Sequence, residues 1–132
     1  MNSSAQAVEA LVAINCLVVG LSHLPRPRGW VAFFHWLRDR GVAGAFVNGL
    51  LSLSFGSLIV AFHPVWSGWP LVVTLFGCTQ VFKGMVCLVL PDVALRSLSR
   101  VDVTRAHEFR AAGVVLIVLG LAAAACWWSS TP

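Results

Sequence analysis

Long apolar runs alternate with short polar segments along this chain. Residues 5–24, 42–62, 71–90 and 111–128 are nearly free of charge. At about 1.5 Å per helical residue, the first three match the roughly 30 Å of a bilayer's hydrocarbon core, and the fourth is somewhat short. The pattern predicts an all-α chain with four transmembrane helices forming one integral membrane domain over residues 1–132.

The polar segments have a pattern of their own. In residues 29–40, Trp30, Phe33, Phe34 and Leu37 recur at helical spacing, with Arg28, His35, Arg38 and Asp39 off that face. This describes an amphipathic helix lying in the membrane surface. After Pro91 and Asp92, Leu95, Leu98 and Val101 form a partial stripe, so a second interfacial helix is expected in that connection. A break is expected near residues 101–103, with Asp102 or Thr104 capping a helix that continues into the fourth span.

Composition agrees with a lipid solvent. The 132 residues are 58% hydrophobic and 11% charged, against about 25% charged in soluble domains. The first run is not a signal peptide by pattern, because no Lys or Arg precedes it and His23-Leu24-Pro25-Arg26 follows it instead of small residues. It is expected to be retained as a span.

Charge then orients the spans. Of nine Lys and Arg residues, Arg26, Arg28, Arg38 and Arg40 lie between spans one and two, and Arg96, Arg100, Arg105 and Arg110 between spans three and four; the central loop, residues 63–70, has none. Basic residues in short loops stay in the cytoplasm. Both termini and the central loop are therefore expected outside. Trp30 and Trp36 would mark the inner headgroup level, and Trp66, Trp69, Trp127 and Trp128 the outer one. The pI near 9.4 then points to anionic lipid headgroups at Arg26, Arg28, Arg38, Arg40, Arg96 and Arg100 rather than to nucleic acid.

The two halves resemble each other. Each has a span ending in Leu-Pro (Leu24-Pro25, Leu90-Pro91), a basic connection, then an Arg shortly before a Gly (Arg40 and Gly44, Arg110 and Gly113) and a second span. This is consistent with a duplicated helical hairpin related by an axis along the membrane normal, or with two similar but unrelated hairpins. The stretch 56–66, with 73–77, Lys83-Gly84 and Pro91, resembles a family of small bacterial four-span membrane proteins of uncharacterised function; the second half also looks like short two-helix membrane proteins. The resemblance implies a helical fold and a bacterial inner membrane.

Polar side chains at membrane depth are the places where chemistry is expected. Lys83, Gln80, Asn48 and Asn15 fall at a similar level in the inner half of the bilayer. They would form either an anion or headgroup site or a polar seam with Lys83 snorkelling inward. Glu9 falls near the level of His63 at the outer end. The two would make a pH-sensitive latch, since imidazole titrates in the physiological range, or Glu9 would be a wetted carboxylate among the headgroups.

His23, His35 and His107 could meet at the inner surface, but no metal- or haem-ligand spacing is present. Cys16, Cys78, Cys87 and Cys126 lie within spans without CxxC spacing and read as packing residues. Gly44, Asn48, Ser52 and Gly56, four apart, form a small-residue stripe for close helix approach. With no catalytic motif and no cofactor motif, the expectation is a non-enzymatic accessory or assembly component, alone or with a membrane-protein partner or further copies. The alternative is a small oligomeric transporter or channel using the polar residues around Lys83.

Overall fold

A computed structural model describes residues 3–130. The chain orders as α1 (Ser3–His23), α2 (Pro27–Asp39), α3 (Val42–Phe62), α4 (Leu71–Val89), α5 (Pro91–Leu98), a single 3-10 turn (Val103–Arg105) and α6 (Ala106–Ser130), with no strand among the described residues. Four of these helices are long and apolar enough to cross a membrane, making this a multi-pass membrane protein. The first two residues of the uncharged leader, Met1 and Asn2, lie outside the described residues.

Two of the expected spans, the second and third, match α3 and α4 to within a residue. The fourth helix starts at Ala106, earlier than the apolar run itself, because the chain re-enters helix directly after the break at Val101 and Asp102. Thr104 Oγ1 donates to Asp102 Oδ2 at 2.9 Å and shapes that re-entry.

The four spans form two tightly packed pairs, α1 with α6 and α3 with α4, and the two pairs touch each other much less. Water expulsion does not drive helices together within lipid, so close approach of backbones does, and small residues permit it. A Cβ on Gly20 would stand 2.8 Å from Gly113 O; one on Gly56 would stand 2.5 Å from Val81 N. Outward faces present Ile14, Val18, Leu50, Phe82, Val115 and Val118, which suits an apolar solvent.

The same contacts occur twice, shifted by a constant 64 residues. Gly20 against Ile117 corresponds to Gly84 against Leu53, Gly113 against His23 and Leu24 to Gly49 against Cys87 and Leu88, and Gly120 against Leu17 to Gly56 against Val81. With α1 and α4 parallel, the halves α1–α3 and α4–α6 are related by a pseudo-two-fold axis along the bundle. The duplicated hairpin is thus realised in the packing, but in a different register from the one the loop landmarks suggest. Gly113 corresponds to Gly49, not to Gly44, and the Leu-Pro pairs lie two residues out of step. The spans align without gaps, and because α3 and α6 begin at Val42 and Ala106, the same 64 residues apart, the connections are equal in length and differ only in fold, with the 13-residue α2 in one and the 8-residue α5 and a 3-10 turn in the other.

The small-residue stripe needs the same correction. Gly49 and Gly56 contact α4, seven residues apart, whereas Gly44 packs on the Leu37 carbonyl of α2. A four-residue spacing drifts around a helix of 3.6 residues per turn, so Ser52 faces the space between the pairs, while Asn48 lies at the edge of the seam with its Nδ2 3.9 Å from Cys87 Sγ of α4.

At one end lie α2 and α5. The buried face of α2 is Pro27, Val31 and Leu37. Phe33 and Trp36 point outward, with the Arg40 guanidinium 4.9 Å above the Trp36 ring. Gly41, at φ 58°, makes the corner into α3, and its left-handed backbone disfavours any side chain. In α5, Leu98 is buried and Leu95 packs against Ala45, Cys87 and Ala94, so the expected stripe faces inward and gains Ala94.

Candidate functional site

The loop end of the bundle is closed by a buried polar network. Glu9 comes from α1, His63 caps α3, and Thr74 sits in the first turn of α4; all three are fully buried. His63 Nε2 lies 3.2 Å from Glu9 Oε1, and His63 Nδ1 lies 2.9 Å from Thr74 Oγ1. Thr74 Oγ1 is within 2.9 Å of the His63 carbonyl and 2.8 Å of the Val65 carbonyl. Gln6 Nε2 donates to the Ser130 carbonyl, and Ser130 Oγ donates to Glu9 Oε2 at 3.1 Å.

Donor counting assigns the protons. A threonine hydroxyl has one hydrogen, and the two carbonyls beside Thr74 claim it. Thr74 therefore accepts from His63 Nδ1–H. One proton then lies between His63 Nε2 and Glu9 Oε1, whether as imidazolium with carboxylate or as imidazole with carboxylic acid, and the pair is neutral overall in either case. Such a closed network satisfies every member, which is the condition for keeping ionisable groups buried. The expectation of a wetted Glu9 is overturned: the loop 63–70 folds over the carboxyl and encloses it.

Below this network an apolar core joins the two pairs, made of Val8, Val12, Ile59, Val73 and Ala123, with Phe55 and Phe76 edge to face at 6.2 Å. Past the core, toward α2 and α5, the pairs separate around a cavity of about 350 Å³. Asn15, Asn48, Gln80 and Lys83 all line it, so the four polar residues grouped by depth are brought to one chamber. Counting helical rise, Lys83 and Asn48 each stand about 9 Å from the α2–α5 ends of their helices. The chamber straddles the pseudo-two-fold axis, being lined by the related pairs Cys16 and Gln80, Val19 and Lys83, and Ser52 and Leu116.

A second cavity of about 510 Å³ adjoins the first, sharing Phe34, Asn48 and Lys83. Its remaining wall is mostly apolar, with Phe82, Val86, Val93, Leu98 and Phe109. Both cavities are open and mainly apolar in surface, and Lys83, itself exposed, and Asn48 supply polar groups where the two meet.

The electrostatics of the chamber are one-sided. Among the described residues Lys83 makes no ion pair and neither Lys83 nor Gln80 makes a hydrogen bond. Asn15 Nδ2 donates to the Leu11 carbonyl at 2.9 Å, and Asn48 Nδ2 has only a long contact of 3.9 Å to Cys87 Sγ. Of the five acidic side chains, Glu9 is held at the far end, Asp39 pairs with Arg38, Glu108 pairs with Arg105, Asp102 accepts from Thr104, and Asp92 is exposed in the first turn of α5 without an ion pair to Lys83.

The four histidines occupy four different environments. His23 stacks on Trp30 with centroids 4.1 Å apart and donates Nδ1–H to the Val19 carbonyl at 2.7 Å. His35 Nε2–H donates to the Val101 carbonyl at 2.8 Å. His63 belongs to the closed end, and His107 is exposed. No group of three His, Cys, Asp or Glu side chains converges among the described residues, and the four cysteines are free. Trp30 is not a free headgroup anchor: its Nε1 donates to Ser22 Oγ at 3.1 Å and its ring forms part of the chamber wall.

Sequence reasoning missed Thr74, Ser130 and Gln6, because only folding brings them to Glu9 and His63. It also missed Ser52 and His23 as chamber walls, though the departure of Ser52 from its repeat partner Leu116 was there to be read. Compared with known proteins, the chain matches no family model, no curated protein and no solved structure.

Proposed function

We propose that this chain is a non-enzymatic accessory or assembly component of a bacterial inner membrane, with α2 and α5 at the cytoplasmic surface and the loop 63–70 and both ends of the chain outside. The arginines around α2 and α5, and their absence from the 63–70 loop, support that orientation. The Gly-Ser-Leu-Ile stretch at residues 56–59, the following His63-Pro64-Val65-Trp66 and the Lys83-Gly84 pair carry the resemblance that supports a bacterial source.

One observation carries the non-conducting reading. The half between the pairs nearer the 63–70 loop is filled by Val12, Ile59, Val73 and Ala123 and capped by Glu9 with His63, so apolar packing stands between the chamber and that end. A channel needs a continuous polar path, and four spans with two ionisable side chains at depth supply none. The small-transporter reading is favoured by the chamber itself, which has the volume and convergent polar groups of a ligand pocket.

Two experiments separate these readings. In liposomes reconstituted with the purified protein, an accessory role expects ion and small-solute flux at the level of empty vesicles, while flux lost on Lys83→Met substitution would establish transport. Cross-linking in membranes, followed by identification of the attached proteins, expects a reproducible membrane-protein partner; recovery of the chain alone would count against an assembly role. Orientation is tested with a single cysteine at Ser67 in a cysteine-free background. Labelling by an impermeant maleimide in intact cells supports it, and protection until lysis overturns it.

A further inference from the structure

We infer that the chamber at Lys83 is a binding site for the acidic headgroup of an amphiphile, with Lys83, Gln80 and Asn48 holding the oxyanion and the adjoining apolar cavity taking the hydrocarbon portion. The inference does not depend on whether the chain works as an accessory protein or a transporter.

The pseudo-symmetry supplies the first reason. Val19 occupies the position of Lys83 in the other half, Cys16 that of Gln80, and Ala112 that of Asn48, all at the 64-residue shift. The scaffold builds these positions equally well from apolar residues, so packing does not require the polar ones. An ammonium in hydrocarbon costs several kcal/mol on the order given by insertion scales. Its presence where a valine would serve calls for a compensating partner.

The chain does not provide that partner. Lys83 has no carboxylate within ion-pair distance, and the amides of Gln80 and Asn48 have unfilled donors facing the same space. One positive charge without a counter-ion, beside the Gln80 amide and an Asn48 amide whose one contact is the long one to Cys87 Sγ, describes a site for an oxyanion, since charge-assisted hydrogen bonds to phosphate or carboxylate are the strong ones.

The shape of the space defines the rest of the ligand. A soluble anion would need only the chamber of about 350 Å³, but Lys83 and Asn48 also border the apolar cavity of about 510 Å³. That cavity exists because the connections differ. α2 has 13 residues and fills its corner with Trp30 and Phe34, whereas α5 has 8 and leaves Val93, Leu98 and Phe109 lining open space. A polar head beside an apolar body matches an acidic phospholipid from the surrounding leaflet; inorganic phosphate shares only the head chemistry.

The test is native mass spectrometry of the full chain in a nonionic detergent, titrated with phosphatidylglycerol, phosphatidylcholine and inorganic phosphate. Phosphatidylglycerol is expected to bind at least about tenfold more tightly than phosphatidylcholine, and Lys83→Met to remove that preference, while Lys83→Arg keeps it. Asn48→Ala and Gln80→Ala are each expected to weaken phosphatidylglycerol several-fold. They read the same site if Lys83→Met does not fold, and a lysine merely reaching for the headgroup layer would not respond to them. Arg110→Gln, at an exposed arginine outside the site, is expected to leave the affinity unchanged. Competition by phosphate at comparable affinity would assign the oxyanion site to a soluble ligand. Equal binding of the two lipids, full binding by the folded Lys83→Met protein, or an equal loss from the Arg110 substitution would overturn the inference.

Discussion

Glu9 and His63, from opposite helix pairs, meet with 3.2 Å between Oε1 and Nε2 where neither side chain has any exposed surface. The contact joins α1 to the end of α3, and Thr74 extends it to α4. The two pairs share few other polar contacts, so this network fixes how they sit against each other at the loop end.

Removing one partner leaves the other buried without its share of the proton. His63→Leu is expected to destabilise the bundle by about 3–5 kcal/mol, the range for breaking a buried pair on one side. Glu9→Gln should cost less, because a glutamine amide donates to imidazole Nε2 in the same geometry. Replacing both Glu9 and His63 by leucine should recover part of the loss. Unfolding in detergent by a denaturing surfactant gives all three values, and a Glu9→Gln protein as unstable as His63→Leu would refute the proton assignment.

The repeat makes a paired prediction. Gly20 and Gly84 are equivalent: a Cβ would approach Gly113 O to 2.8 Å in one case and Leu53 N to 2.6 Å in the other. Valine at either position should therefore separate one helix pair at a similar cost, about 1–3 kcal/mol each, as overpacking does. Gly29 is the control, since its nearest neighbour is Arg26 Cβ at 3.8 Å. Gly29→Ala should change stability by less than about 0.5 kcal/mol. The same unfolding assay decides; a tolerated Gly84→Val beside a damaging Gly20→Val would show the two seams to be unequal.

Much of this arrangement can be read from the chain, for identifiable reasons. Span positions follow from hydropathy because lipid forces every backbone group into internal hydrogen bonds. The level of Lys83, Asn48 and Asn15 follows from helical rise alone. Depth does not specify rotation about the helix axis, however, and this is why the small-residue stripe was assigned to Gly44 and Gly56 when Gly49 and Gly56 form the seam. Nor does depth distinguish a carboxylate in the headgroups from one under a folded loop, so Glu9 was legible as a neighbour of His63 but not as buried. The repeat register is obscured by the connections, which are equal in length but carry their Leu-Pro pairs two residues out of step, although the glycines at 20, 49 and 56 and at 84, 113 and 120 carry it in plain view.

The contact between the two interfacial segments should control the break before α6. His35 Nε2–H on the Val101 carbonyl ties α2 to the loop that follows α5. Its loss in His35→Phe removes one hydrogen bond, about 1 kcal/mol, with the aromatic packing largely preserved. Trypsin cleavage at Arg100 and Arg105 is expected to accelerate several-fold, while cleavage at Arg28 stays unchanged. Equal acceleration at Arg28 would mean a general loosening rather than a local tie.

The same segment should respond to acid. The Thr104 hydroxyl holds the Asp102 carboxyl below its ordinary value, so the folded turn favours the ionised form. The sign follows from linkage: a carboxyl whose value is depressed on folding adds stability above the ordinary carboxylate range and loses it as pH falls through the lowered value. Asp102 is fully exposed to solvent, so the effect is confined to the turn. Hydrogen exchange over residues 99–105, corrected for its intrinsic pH dependence, should show greater opening at about pH 3 than at about pH 6, on either side of the unperturbed carboxylate. Thr104→Val should flatten this difference by removing the donor. An undiminished pH response in that variant would show that the backbone N–H groups of Val103 and Thr104, and not the Thr104 hydroxyl, hold the carboxyl down, and one that persists in Asp102→Asn would assign the acid sensitivity to another group.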